Sequence, residues 1–167
     1  MTVEIHPEAR VSALADIEPS VRGTRIVVHA RAVIDSFVKI KPAGGSGDVI
    51  IGEGSIINSG CVLYTGNGIR IGCMVSVAAN CTFAPTNHAF QDRRRPIQQQ
   101  GFLPSRGGIV IEDDVWIGAG CVLLDGACLR TGCVVAAGSI VRSEVAAYTV
   151  VGSAAGREPL QVLGMRK

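Results

Sequence analysis

The residues best suited to chemistry crowd into one stretch, between Phe83 and Ile111. It opens Ala-Pro-Thr-Asn-His over 84–88, passes Phe90, Asp92 and the run Arg93-Arg94-Arg95, and then carries three glutamines at 98–100. His88, backed by Asn87, is the candidate for moving a proton, because imidazole changes charge near neutral pH. The alternative is a surface histidine in a solvated polar loop. The arginine run likewise reads as a solvated loop face, or else as an attractor for an anionic acceptor or for phosphates. Six cysteines invite a disulfide or zinc reading, but no pair is spaced C-x-x-C, so a zinc site lacks its ligand scaffold. Cys61, Cys81, Cys121 and Cys133 read instead as small core residues in a reducing compartment. Cys73 and Cys128 fall outside that set and are expected to be more exposed; a nucleophilic role is weak for both, since neither has a histidine beside it in sequence.

A six-residue beat must position these groups. Apolar residues recur at Ile5, Val11, Ile17, Val28, Ile34, Ile40, Ile51, Ile57, Leu63, Ile71, Val77, Phe83, Ile111, Ile117, Leu123, Leu129, Val135 and Val141. The fourth place after each is usually small, as at Ala9, Ala32, Ser55, Cys61, Cys81, Cys121, Ala127, Cys133 and Ser139. A repeat this short is no helical hairpin or propeller blade, and it predicts an all-β parallel β-helix. The steps 17 to 28, 40 to 51, 63 to 71 and 83 to 111 exceed six residues, each after three hexads. That predicts about six triangular coils, with insertions at one corner and rungs about 4.8 Å apart. Each fully buried Ile or Leu contributes about 1.5–3 kcal/mol, so such a column can hold a solenoid together. The expected organisation is one β-helix domain over 1–155, with a loop at 89–108, and a short capping tail over 156–167 for which a helix is one possible form.

Composition fits a soluble cytoplasmic domain: 167 residues, 47% hydrophobic but only 4% aromatic, with 21 glycines suited to turns. No apolar run approaches the roughly 20 residues needed to span a bilayer, and Glu4 and His6 interrupt any signal-peptide pattern. A net charge of +2 gives no reason to expect nucleic acid or an anionic membrane as partner.

From about Ile51 to Gly152 the chain resembles the hexapeptide-repeat acyltransferases, in particular the branch of galactoside, maltose, xenobiotic and polysaccharide-modifying O-acetyltransferases. The strings that carry the likeness are Asn87-His88 with Arg95-Pro96-Ile97 and Gln100-Gly101, then IVIEDDVWIGAGCVLLDGA over 109–127, VVAAGSIVRSEV over 134–145 and TVVGSAA over 149–155. The resemblance implies a left-handed β-helix, a homotrimer and acetyl-CoA as donor, with no metal. It implies His88 as general base, so that an acceptor hydroxyl attacks the thioester directly without a covalent intermediate. It implies acceptor contacts from Asn58, with Asn87 beside the base, although Asn58 also reads as a turn asparagine. By register Asn58 and His88 lie on different edges of the triangle, so they share a substrate only if a second subunit supplies one of them. A sugar-contacting acidic residue of the family falls near Gly66, where this chain has no carboxylate.

For the donor, the resemblance points to Ala119 and Ala137 with Gly118, in a column of small residues that includes Ala79. It places Arg142 at the nucleotide end and Arg157 within reach of phosphate, although Gly152-Ser153-Ala154-Ala155 replaces the family's usual closing motif. Trp116 is expected to line a substrate pocket, with a subunit contact as the alternative. N-acetylation of an amino-sugar nucleotide is the nearest competing activity. Serine acetylation is disfavoured, since those enzymes carry a helical N-terminal extension. Gamma-type carbonic anhydrases share the fold and bind zinc through three histidines, but His6, His29 and His88 are too far apart in rung number to meet. A non-catalytic scaffold is the remaining alternative.

Overall fold

The computed structural model describes residues 2–152 and 160–165. Its first coil is β1 (Thr2–Ile5), β2 (Arg10–Val11) and β3 (Asp16–Ile17), and its second is β4 (Arg25–Val28), β5 (Val33–Ile34) and β6 (Lys39–Lys41). The third is β7 (Val49–Ile51), β8 (Ile56–Ile57) and β9 (Val62–Tyr64); the fourth is β10 (Ile69–Ile71), β11 (Ser76–Val77) and β12 (Thr82–Ala84). The fifth is β13 (Ile109–Ile111), β14 (Trp116–Ile117) and β15 (Val122–Leu124); the sixth is β16 (Cys128–Leu129), β17 (Val134–Val135) and β18 (Ile140–Val141). A partial turn, β19 (Glu144–Val145) and β20 (Thr149–Gly152), and a final strand β21 (Gln161–Met165) complete the chain.

Every third strand pairs in parallel, giving sheets of seven, eight and six strands that form the three sides of a left-handed β-helix. The apolar column is in register from rung to rung, as in Ile57↔Val77 and Val77↔Ile117. It is buried from Val28 through Val141. The first coil departs from the expectation: Ile5 is 44% exposed, and Val11 and Ile17 are only half-buried. Among the described residues none packs beneath the first rung to cover them. The first side contributes two inward residues per coil in the middle of the stack, such as Ile69 with Ile71, because side chains two apart share a strand face.

The corners follow from turn chemistry. From the second coil onward, the third residue after each column position of the first and second sides adopts φ > 0, at Gly54, Gly60, Gly120 and Gly138 but also at Arg31, Phe37, Met74, Asn80, Asp114 and Tyr148. Bulky residues rarely adopt this conformation. A Cβ on Gly54 would stand 2.6 Å from Met74 Sδ, so glycine in one rung makes room for the side chain of the next.

All four long insertions fall at the third corner, between third-side and first-side strands, as the spacing predicts. Two features of the C-terminal end were not legible. The same corner shortens to two residues, Arg142 and Ser143, between β18 and β19, which carries the core onward to buried Val145 and Val151. The described part of the tail is a strand rather than a helix: β21 runs antiparallel to β20, with Val150 opposite Gly164. The expected tail boundary and Arg157 lie outside the described residues.

Candidate active site

The loop bearing His88 leaves the third corner at Pro85 and returns at Gly108, and it is ordered by its own hydrogen bonds. His88 and Phe102 form an antiparallel bridge, flanked by Ala89 N–H donating to Gly101 O at 3.0 Å and Leu103 N–H to Asn87 O at 2.8 Å. The His88 ring stacks on Phe102 with centroids 4.7 Å apart. Within one protomer the imidazole is exposed, as is Asn87. Beyond this hairpin the chain makes a short 3-10 turn at Ile97–Gln99. There Gln100 Nε2 donates to Asp92 O at 2.8 Å and to Arg95 O at 2.9 Å. Arg94 pairs with Asp92 at 3.4 Å and Arg95 donates to Gln99 O at 2.6 Å, so two of the three arginines shape the loop itself.

Both ends of the loop are fixed to the coils. At the entry, Thr86 and Pro85 pack over Gly66, where a Cβ would approach Thr86 Cγ2 to 2.8 Å. That crowding, together with a φ of 45°, favours glycine at position 66. At the exit, Asp125, only 2% exposed, accepts the N–H groups of Arg106 at 2.8 Å and Gly108 at 2.9 Å. The Arg106 guanidinium reaches on to Arg142 O at 3.3 Å. Sequence reasoning overlooked Asp125; its one signal was a carboxylate at an insertion corner that carries no insertion.

The small-residue column stands at the second corner, just past the second side rather than on it. Gly118 is buried, while Ala119 and Ala137 are exposed. The carbonyls of Ala79 and Ala119 are already used by the next rung, through Gly120 N–H at 3.0 Å and Gly138 N–H at 2.8 Å. What this corner offers a ligand is its N–H groups at Ala79, Ala119 and Ala137, for which the described residues supply no acceptor. A Cβ on Gly118 would lie 2.5 Å from Ala137 N, so glycine keeps that donor accessible. Three buried thiols brace the corner from inside: Cys61, Cys81 and Cys121 donate to Ala78 O, Gly118 O and Ala136 O, each at 3.2 Å.

Asn58 lies directly after β8, at the second corner, rather than opening the second side. Its amide donates to Val77 O at 2.7 Å, and the left-handed turn conformation falls two residues later, at Gly60, rather than on Asn58 itself. Trp116 projects outward from the second side, 56% exposed, beside a shallow cavity of about 420 Å³ that Met74, Ser76 and Val134 also line. Cys73 is exposed and Cys128 half-buried, and all six cysteines are free thiols. His6 and His29 stack in successive rungs, after the paired Ile5 and Val28, far from the His88 loop. Among the described residues no group of three or more His, Cys, Asp or Glu is placed to hold a metal ion, and no helix is long and apolar enough to cross a membrane.

The family model for bacterial transferase hexapeptide (six repeats) matches residues 108–143. A hexapeptide-repeat-containing acetyltransferase from Vibrio cholerae O1 biovar eltor, solved with acetyl coenzyme A, is 30% identical over 81% of this chain and 68% of its own, with a TM-score of 0.69. The chain belongs to the hexapeptide-repeat acyltransferase family. Two solved structures share the fold at lower identity. A variant of AntD, an N-acyltransferase from Bacillus cereus, in complex with dTDP-4-amino-4,6-dideoxyglucose and coenzyme A, is 20% identical over 98% of this chain and 84% of its own, with a TM-score of 0.79. A maltose O-acetyltransferase from Clostridium difficile 630 is 19% identical over 98% and 70%, with a TM-score of 0.67.

Proposed function

We propose that this acyltransferase moves the acetyl group of acetyl-CoA to a hydroxyl of a sugar or cell-surface glycan precursor, as part of polysaccharide biosynthesis in the cytoplasm. The observation that carries the reading is the His88 hairpin, an accessible imidazole on a loop tied down at both ends. His88 takes the proton of the acceptor hydroxyl as its oxygen bonds to the thioester carbonyl carbon. The C–S bond then breaks, and the thiolate of CoA leaves with the proton that the imidazolium returns. No enzyme-bound acyl group is needed.

The N–H groups of Ala79, Ala119 and Ala137 suit the carbonyls of a pantetheine arm, with Gly118 keeping the track low. Arg142 and Arg106 stand at the third corner, like His88, and supply positive charge for phosphate from the neighbouring copy. The donor track is at the second corner and His88 at the third, so one protomer does not bring them together. A homotrimer in which the third corner of one copy meets the second corner of the next completes the site. The exposed apolar side chains Phe90, Ile97 and Phe102 on the loop favour such a contact. Trp116 is assigned to the same cleft.

The test is CoA release on a panel of sugars, glycosides and amino-sugar nucleotides, with mass by light scattering. Turnover of hydroxyl acceptors by a three-chain particle is expected. Turnover restricted to amine acceptors would replace the reading with N-acetylation, and a fully active monomer would remove the shared site.

A further inference from the structure

The second corner changes character half-way along the solenoid. Register places Ser12, Asp35, Asn58, Ala78, Gly118 and Ala136 in one column, each following a paired core residue. The upper coils present Ala78-Ala79, Gly118-Ala119 and Ala136-Ala137, while the lower coils present Ser12, Asp35-Ser36 and Asn58-Ser59. The polar half is linked from rung to rung: Ser12 Oγ to Ser36 Oγ at 2.9 Å, Ser59 Oγ donating to Asp35 Oδ2 at 2.6 Å, and Ser36 N–H donating to Asp35 Oδ1 at 2.7 Å. The Ser59 hydroxyl first, and then the Ser36 N–H, hold the Asp35 carboxyl below its ordinary range. Beside this carboxylate Phe37 is 67% exposed, at a place that is Gly60, Asn80, Gly120 or Gly138 in the coils above.

The Asp35 carboxylate serves the turn through Ser36 N–H and keeps further acceptor capacity, while the turn itself needs no exposed aromatic ring. The two halves abut between Asn58-Ser59 and Ala78-Ala79. A donor arm lying on the alanine half therefore presents its acyl end to the polar half; this step rests on the donor reading above. We propose that Asp35, Phe37, Asn58 and Ser59 form the acceptor subsite, and that it takes a pyranose ring. The apolar face of the ring lies on Phe37. Neighbouring ring hydroxyls donate to Asp35, whose two oxygens accept about four bonds in all, and exchange bonds with Ser59 and Asn58.

The test uses the whole protein labelled with 4-fluorophenylalanine, which gives one fluorine signal for each of its four phenylalanines. Maltose is titrated without acetyl-CoA, and Phe37→Leu identifies the Phe37 signal. The expected result is a saturable shift of that signal with buried Phe83 unmoved, and roughly tenfold weaker maltose binding in Asp35→Asn, the loss of one good ligand contact. Shifts confined to Phe90 or Phe102, or no shift at all, overturn the proposal. So does a Phe37→Leu variant that loses its oligomeric mass while binding maltose unchanged, for then the ring is a subunit contact. CoA calorimetry on Ala119→Val tests the donor reading separately: unchanged CoA affinity removes that reading alone, and the maltose titration still decides the subsite.

Discussion

The first and third corners turn the same rungs, yet they use their residues differently. At the first corner every step is six residues and charges are paired along the stack. Arg31 bridges Glu8 and Glu53, and Arg130 joins Glu112 and Glu144, each at 2.8 Å. Thr131 closes the second cluster by donating its N–H and hydroxyl to Glu112. At the third corner length varies from rung to rung, glycines stack on one another, and a loop leaves and returns. Gly45, Gly47 and Gly108 each sit where a Cβ would strike the backbone of Gly66 or Gly68. A solenoid keeps its register through uniform turns and can carry a long inserted loop only where the chain leaves the beat. Substitutions at the third corner should therefore reduce turnover, and those at the first corner should alter stability alone.

The largest separation is expected from His88→Ala. CoA release should fall about 10²–10⁴-fold, the usual contribution of a positioned base, with unchanged CoA affinity and particle mass. Near wild-type turnover would end the assignment. Next comes Asp125→Ala, which leaves the N–H groups of Arg106 and Gly108 without their acceptor, a local cost of about 1–3 kcal/mol. The loop should become open to limited proteolysis between 89 and 105, with kcat roughly tenfold lower if loop position sets the geometry of the base. Wild-type kcat in a nicked variant would show that the latch does not position His88.

At the first corner the expected effects are on stability. Burial pushes the Cys133 thiol up to about 11, so the fold favours the protonated form. That stability is complete below the ordinary thiol value near 9 and is lost as pH rises through 11, at about 1.4 kcal/mol per unit at most. Urea midpoints at pH 8 and 10.5 should differ less in Cys133→Ala than in wild type; equal differences would count against the thiol. The smallest effect belongs to Glu112→Gln. The Arg130 guanidinium, followed by Thr131, holds the Glu112 carboxyl below its ordinary 4.5. Its contribution is present above 4.5 and fades as pH falls through the lowered value. Partly exposed ion pairs contribute little, so melting should drop only slightly at pH 7, the gap should shrink in acid, and turnover should not change. A loss of activity here would break the division between the corners.

The coil was readable because Ile34, Ile57, Val77 and Ile117 repeat a spacing that only a stacked rung explains. The insertions were readable because each follows three such steps. The four-residue step from Val141 to Val145 was not, since a shortened corner resembles the end of the repeat; the return to six between Val145 and Val151 was the available sign. β21 carries no hexad, and its pairing with β20 is set by tertiary contact alone. In the site, the His88 loop stood out because it breaks the register, whereas Asp125 and the hairpin through Phe102 depend on long-range backbone bonds that leave no period. Asn58 shows a further limit: its type and place suit both a turn and a ligand, and the bond to Val77 O serves the turn first.

The unequal ends of the prism govern how copies can accumulate. Beyond β20 the next strand runs in the opposite direction, so a parallel newcomer finds no matching edge on that side of the C-terminal face. At the opposite end Ile5 is 44% exposed, and among the described strands β1 pairs with β4 alone. End-on growth into fibres is therefore blocked at the C-terminal face of the second side, where an antiparallel strand occupies the edge that a further parallel rung would need.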